Sequence, residues 1–443
     1  MDRENTLRIT VIGIGYLGLT HAVCMAEMGH QVLAIDTDHG KIAKASRGEV
    51  PFYEPGLEPL LRKNLDAGRL RFTDSWAEIG EFGEVHFLCV GTPQAKEGNA
   101  DLRYVHAATD ALAPHLNQDC LIVGKSTVPV GTARELLARA RAAAPAADGV
   151  DLAWNPEFLR EGHAVHDSLT PDRLVFGVTT DAAVTLLRRV YAQPLAAGIP
   201  ALPMDLETAE LVKVAANSFL ATKISFINVM AEMCEATGAD VTKLADAIGL
   251  DDRIGRKFLS AGLGFGGGCL PKDIRAFRAT AREKGIDSLV DLLATVDEIN
   301  LGRRERVITM ARESVGGNLA GKRIAALGIA FKPNSDDIRD SPSLDICARL
   351  AGEGAVVSVH DPVAMDNARQ AHPELRYASS VSEAAADADL VLHLTEWADY
   401  RAIDPAALAD IVARPVLVDA RCVLDAAEWS QAGWSVLALG RPS

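Results

Sequence analysis

The chain has 443 residues, 48% of them hydrophobic and 24% charged, with a formal net charge of −15. That length exceeds one ordinary core, so two or three domains are expected, and the balance excludes a disordered chain. The acid excess disfavours nucleic-acid and anionic-membrane partners, although a local basic pocket can still hold an anionic small ligand.

The first residues, Met1-Asp2-Arg3-Glu4-Asn5-Thr6, lead straight into an apolar stretch with no export signal, which points to the cytoplasm. No uninterrupted apolar run reaches the roughly 20 residues of a membrane span. Residues 8–12 are read as a short buried strand. Gly13-Ile14-Gly15-Tyr16-Leu17-Gly18 follows it and opens a helix. Glycines at that spacing permit a tight turn, close approach to a pyrophosphate, and tight helix packing. Residues 31–35 form a second strand closed by Asp36, whose carboxylate suits a ribose 2′-hydroxyl and repels a 2′-phosphate. NAD is therefore the expected cofactor, with Lys41 toward the adenosine. Residues 84–90 and 120–124 are later strands, and Gly91-Thr92-Pro93 after the former lies where the same cofactor would run. This alternation over the first 130 residues predicts a parallel sheet wrapped by helices.

Residues 205–237 hold no proline or glycine and show apolar positions at helical spacing, so one long central helix is predicted. It would span on the order of 45 Å, and a dimer contact is a natural use for it. Further on, Gly264-Phe265-Gly266-Gly267-Gly268-Cys269-Leu270-Pro271-Lys272-Asp273 places a cysteine at the end of a glycine-rich loop. A thiolate there can attack a carbonyl carbon, and Asp273 can serve as a base toward water or the thiol. An alcohol dehydrogenase that stops at the aldehyde needs no nucleophile, whereas one that proceeds to the acid does. The other cysteines (Cys24, Cys89, Cys120, Cys234, Cys347 and Cys422) form no CxxC pair and read as reduced, mostly buried thiols, so no metal site is expected.

Residues 322–328, 355–362, 388–394 and 416–421 repeat the strand plan of the N-terminal part. The expected fold is α/β, with two Rossmann-like doubly wound domains joined by the long helix and a helical dimerisation region. The expected boundaries are 1–200 for the NAD-binding domain, 201–305 for the central part with the cysteine loop, and 306–443 for the second nucleotide domain. After Leu327 the chain reads Gly328-Ile329-Ala330-Phe331-Lys332-Pro333, with no full glycine motif, so one dinucleotide site is expected, not two.

Over nearly its whole length the chain resembles the UDP-glucose/GDP-mannose dehydrogenase family. The likeness rests on the glycine turn, Val90-Gly91-Thr92-Pro93, Ser126-Thr127-Val128-Pro129-Val130-Gly131-Thr132 and Asn155-Pro156-Glu157-Phe158-Leu159-Arg160-Glu161-Gly162. Lys213-x-x-x-Asn217, the cysteine loop, Phe331-Lys332-Pro333 and Asp337-x-Arg339-x-Ser341 complete it. The resemblance implies that Cys269 is the nucleophile and that Lys213 and Asn217 stabilise an oxyanion. Thr127 and Asp273 would position water, and Glu157 would be a further acid–base group. Glu161 and Arg339 would lie near the cofactor. Phe158, Leu159, Phe265, Gly266, Lys332 and Arg421 would line the sugar nucleotide. Arg253 would reach the substrate from a neighbouring subunit, which implies a homodimer.

Glu157 and Glu161 have the spacing of neighbours on a helix. Gly268 stands where serine is frequent in relatives, a change expected to be tolerated. The implied reaction is oxidation of UDP-glucose to UDP-glucuronate with two NAD and water, through a thiohemiacetal and a thioester on Cys269. The alternatives are a sister enzyme for GDP-mannose or a UDP-N-acetylhexosamine, a two-electron hydroxyacid dehydrogenase, and a non-catalytic NAD-binding regulator.

Overall fold

A computed structural model of the chain describes residues 6–95 and 98–441. The chain divides into two compact units, Met1–Ala216 and Asn217–Ser443. In the first, the strands are β1 Arg8–Ile12, β2 Gln31–Ile35, β3 Leu70–Thr73, β4 Val85–Leu88, β5 Cys120–Gly124, β6 Val150–Trp154, β7 Leu174–Gly177 and β8 Ala201–Met204. They form one sheet in the order β3-β2-β1-β4-β5-β6-β7-β8. Every pairing is parallel except β6 with β7, which meet antiparallel at Trp154 and Gly177. The interior strands are buried along nearly their whole length, as a sheet covered on both faces requires. One core, with Ile9, Val11 and Leu19, fills one face, and a second, with Ile12, Leu33 and Ile122, fills the other.

The second unit holds β9 Arg323–Leu327, β10 Val356–His360, β11 Arg376–Tyr377, β12 Leu390–His393, β13 Val416–Asp419 and β14 Ser435–Ala438. Their order, β11-β10-β9-β12-β13-β14, repeats that of the first six strands of the other sheet. The internal repetition read from the sequence is therefore a repetition of topology. Several strands are shorter than predicted: 84–90 is β4 at Val85–Leu88, and 388–394 is β12 at Leu390–His393. The trailing residues leave the ladder to build the loops at the carboxyl edge of each sheet, where ligands of this fold bind.

The long helix runs Leu206–Thr237, 32 residues. Asp205 accepts from the Thr208 N–H at 2.8 Å to start it, and Gly238, in the left-handed region at φ +75°, ends it. Phe219, Phe226 and Met233, seven residues apart, are 67%, 50% and 57% exposed and make an apolar row along it. By length and composition alone this helix reaches the threshold for a membrane span. Its buried Glu210, Lys213 and Asn217 are polar groups held inside protein.

Candidate active site

In the first unit each glycine of the turn after β1 has a separate reason. Gly13 sits at φ +90°, which a side chain rarely adopts. A Cβ on Gly18 would lie 1.7 Å from the Gly13 carbonyl oxygen, so only glycine lets the helix Tyr16–Glu27 pack there. A Cβ on Gly15 would meet nothing within 4 Å, which leaves that face open to a ligand at the helix N-terminus. Leu17 packs against the core beside it. Asp36, half-buried at the end of β2, accepts from Ile14 N–H at 2.8 Å and Asp38 N–H at 2.9 Å. Asp38 in turn accepts from the Lys41 N–H at 3.2 Å, which fixes the segment bearing that lysine. A pyrophosphate fits the N–H groups at the helix start, and a ribose diol can donate to the Asp36 carboxylate, which no 2′-phosphate would suit.

Tyr16 extends the turn by a route the sequence did not disclose. Its hydroxyl donates to Glu54, and Glu54 accepts from Gly162 N–H and Ala164 N–H, both at 2.7 Å. Glu54 thereby ties the turn to the loop carrying Glu157, Phe158, Leu159 and Glu161. That loop is not helical, contrary to the spacing of its two glutamates. After β6, residues 155–160 are in neither helix nor strand, and the Leu159 N–H donates to the Glu157 carboxylate at 2.6 Å.

Glu157 also pairs with the buried Lys213 ammonium at 2.9 Å. Burial pushes its carboxyl up, but Lys213, the Leu159 N–H and Lys125 outweigh that and hold it below the usual carboxylate range. The Phe158 ring lies 5.5 Å from the same ammonium and 3.8 Å from the Arg173 guanidinium. Behind them, buried Lys125 donates to Asn155 Oδ1 at 2.9 Å, and burial pushes its ammonium down to about 8. A charged residue directly after a buried strand is the signal that could have disclosed Lys125.

Thr92 Oγ1 donates to the Thr127 carbonyl at 2.8 Å, which laces the Gly91-Thr92-Pro93 loop to the Thr127 loop. Glu210, 1% exposed, accepts from Gly131 and Ala133 N–H at 2.7 and 2.6 Å, and so anchors the far side of that loop to the long helix.

In the second unit Cys269 is exposed and caps the helix Leu270–Glu283. Negative charge is favoured at such an end. Burial instead pushes the thiols of Cys24, Cys89, Cys120, Cys347 and Cys422 up to about 12. Asp273, 2% exposed one turn on, accepts from the Asn217 amide at 2.7 Å and from Lys272 Nζ at 2.5 Å. Its two oxygens are thus held by two donors, and Asn217 is oriented.

The loop before Cys269 is gripped by its backbone. Asn300 accepts from the Phe265 N–H at 2.7 Å and donates to its carbonyl at 3.0 Å. A Cβ on Gly266 would lie 2.2 Å from the Asp340 carbonyl oxygen, and one on Gly267 would lie 2.7 Å from the Phe331 ring. A Cβ on Gly268 would fall 2.3 Å from the Arg339 guanidinium carbon, so a side chain there must displace the end of Arg339. Tolerance at this position accordingly depends on the mobility of an arginine, beyond what loop geometry alone decides.

Lys332 and Arg421 converge on Phe331 beside this loop. The Lys332 ammonium is 5.1 Å from the Phe331 ring, and Arg421 donates to the Phe331 carbonyl at 3.2 Å and pairs with Glu396 at 3.0 Å. Arg339 is held on Asp337 at 2.6 Å. Arg253 stands apart, its side chain 89% exposed and paired with Asp251 at 2.7 Å.

Three stretches match the UDP-glucose/GDP-mannose dehydrogenase family: its NAD binding domain over residues 7–195, its central domain over 207–301 and its UDP binding domain over 325–426. The chain is 42% identical to the UDP-glucose 6-dehydrogenase of Rhizobium meliloti (strain 1021), covering 98% of this chain and 100% of that one. It is 41% identical to that of Bacillus subtilis (strain 168), covering 98% and 94%. Among solved structures it is similar to a UDP-glucose dehydrogenase from the hyperthermophilic archaeon Pyrobaculum islandicum, with 36% identity and a TM-score of 0.90 over 98% of this chain and 100% of that one.

Proposed function

The chain belongs to the UDP-glucose/GDP-mannose dehydrogenase family, and from that premise we propose how its residues divide the reaction. The reaction is the oxidation of UDP-glucose to UDP-glucuronate with two NAD. Bound NAD supplies the acceptor for both hydrides. The turn Gly13 to Gly18 holds the pyrophosphate, Asp36 the ribose diol, and Gly91-Thr92-Pro93 with Thr127 the further run of the cofactor. Lys41, Glu161 and Arg339 complete that binding set. Lys332 and Arg421 hold the anionic sugar nucleotide beside Phe265 and Gly266.

After the first hydride and a proton leave the C6 alcohol, the Cys269 thiolate adds to the aldehyde carbon to give a thiohemiacetal. Lys213 and Asn217 stabilise its oxyanion. Loss of the second hydride gives the thioester. Water, positioned by Thr127, Glu157 and Asp273, then adds, and the thiolate leaves with the carboxylate formed. The exposed Cys269 thiol, one turn before a buried, doubly held carboxylate, carries this reading. The test is NADH formed per sugar with UDP-glucose, GDP-mannose and UDP-N-acetylmannosamine. A ratio of two, with UDP-glucose alone, is expected; a ratio of one would mean that no acid is made.

We further propose the three-part division 1–200, 201–305 and 306–443, and a homodimer working in the cytoplasm. The exposed row Phe219, Phe226 and Met233, with Leu292 and Leu301 on the helix Asp287–Ser314, supports a contact with a second copy. Exposed Arg253 would then serve the partner's substrate. Phe226→Glu should give a monomer by light scattering, and an unchanged mass would overturn the dimer.

A further inference from the structure

Among non-glycine residues with positive φ, Asp340 stands directly against the cysteine loop. It sits at φ +45° just before Ser341, which caps the helix Pro342–Gly352. A residue with a side chain rarely adopts this conformation; aspartate does so more readily than most when its carboxylate is held by hydrogen bonds. Two arginines hold that carboxylate here. Arg275 Nη1 donates to Asp340 Oδ2 at 3.1 Å, and Arg304 Nη2 to Oδ1 at 2.6 Å. Arg275 also grips Asp297 through two bonds, at 3.1 and 3.2 Å, and Arg304 reaches Asp345 at 3.4 Å. Arg304 and Asp297 have side chains only 8% and 9% exposed, so these charges are shielded from solvent screening.

What the clamp holds is the nucleophile's support. Arg275 lies on the helix that Cys269 begins. Asp297 and Arg304 lie on the helix Asp287–Ser314, which also supplies Asn300 to the Phe265 backbone. The Arg339 carbonyl accepts from the Gly267 N–H at 2.9 Å, and the next carbonyl, that of Asp340, abuts Gly266. Turning the Asp340 backbone out of the left-handed region would rotate the peptides that brace Gly266 and Gly267.

We propose that Asp340, gripped by Arg275 and Arg304, is a positioning residue that sets the place of the Cys269 thiol by bracing the glycine loop before it. The proposal rests on Cys269 being the nucleophile. It assigns Asp340 no contact with substrate; its work passes through the backbone of the loop.

The test measures kcat, KM for UDP-glucose and NAD, thermal midpoint, and the rate at which iodoacetamide alkylates Cys269, followed on its own peptide by mass spectrometry. Asp340→Asn keeps the size and removes the charge. Asp340→Gly frees the backbone of its strain and also removes the clamp, so it tests the proposal should the asparagine variant fold poorly. Arg275→Lys keeps a charge but loses the forked grip. Both Asp340 variants are expected to lower kcat at least tenfold, leave both KM values within twofold, and change the alkylation rate at least threefold. Arg275→Lys should fall between them and the parent. A structural ion pair would move the thermal midpoint without moving Cys269 reactivity. The clamp is overturned if both Asp340 variants keep kcat and alkylation rate within twofold while Cys269→Ser is inactive. If Cys269→Ser keeps full turnover, the nucleophile reading itself falls, whichever way the Asp340 variants behave.

Discussion

The two units begin their sheets alike and then part. The Gly13 N–H donates to the Ile35 carbonyl at 2.8 Å with φ +90°, and the Gly328 N–H donates to the His360 carbonyl at 2.8 Å with φ +95°. In each, the next residue's N–H donates to an aspartate closing the second strand, Ile14 to Asp36 and Ile329 to Asp361. Beyond that point the first unit keeps an open glycine and a half-buried carboxylate. The second has buried Ala330 where the first has Gly15, and it buries the carboxylate as well. Asp361, 2% exposed, accepts from Ile329, Ala330, Val363 and Ala364 N–H and from the Trp397 indole. One fold thus keeps a dinucleotide cradle in one copy and turns it into core in the other, so ligand follows from the side chains at the strand ends.

The hardest break of that contrast is Gly18→Ala. Its Cβ would overlap the Gly13 carbonyl, and overpacking of about 3 kcal/mol predicts a loss of NAD affinity of about 100-fold. Calorimetry should show UDP binding retained; loss of both would mean the whole chain had failed to fold.

The two aspartates should then give opposite readouts. Asp361→Asn turns an N–H toward buried donors and should cost about 2–4 kcal/mol of stability with cofactor preference unchanged. Asp36→Asn should leave denaturant stability within about 1 kcal/mol and move the NAD-to-NADP ratio of kcat/KM toward NADP about tenfold or more. A stability loss in both, with no shift in preference, would erase the distinction.

On the other side of the comparison, Lys332→Ala and Arg421→Ala should each raise KM for UDP-glucose about tenfold and leave that for NAD within about twofold. Equal effects on both would assign these cations to neither ligand in particular.

Much of this contrast was legible beforehand, because it is written in local pattern. Glycine spacing with a following acid, helical periodicity over 205–237 and a glycine loop ending in cysteine each need only neighbours in the chain. The three-dimensional supports were hidden for the opposite reason. Glu54 caps a loop more than 100 residues away, Asn300 holds Phe265 from 35 residues on, and Asp340 meets arginines on two helices. Nothing local marks such residues. The helical spacing of Glu157 and Glu161 misled because Pro156 disfavours helix at Asn155 and the Leu159 N–H is taken by the Glu157 carboxylate.

The smallest expected effect concerns what the first unit buries. Lys125 falls from an ordinary 10.5 to about 8 in the folded chain, chiefly through burial. Between those values the unfolded chain holds a proton that the native one has released, so stability from this group rises with pH there and is lost as pH falls through about 8. Denaturant curves of the parent minus those of Lys125→Met should slope upward by about 1 kcal/mol per pH unit over that window. A flat difference would mean that Lys125 stays charged.

The proposed reaction passes through a covalent bond between Cys269 and the sugar. Acid-quenched mixtures of enzyme, UDP-glucose and NAD should yield a Cys269 peptide carrying the uridine-diphosphate sugar at the acid level of oxidation, as a thioester that hydroxylamine releases. If turnover proceeds to UDP-glucuronate while the Cys269 peptide stays unmodified at every quench time and Cys269→Ser still forms two NADH per sugar, the thiol is not the nucleophile.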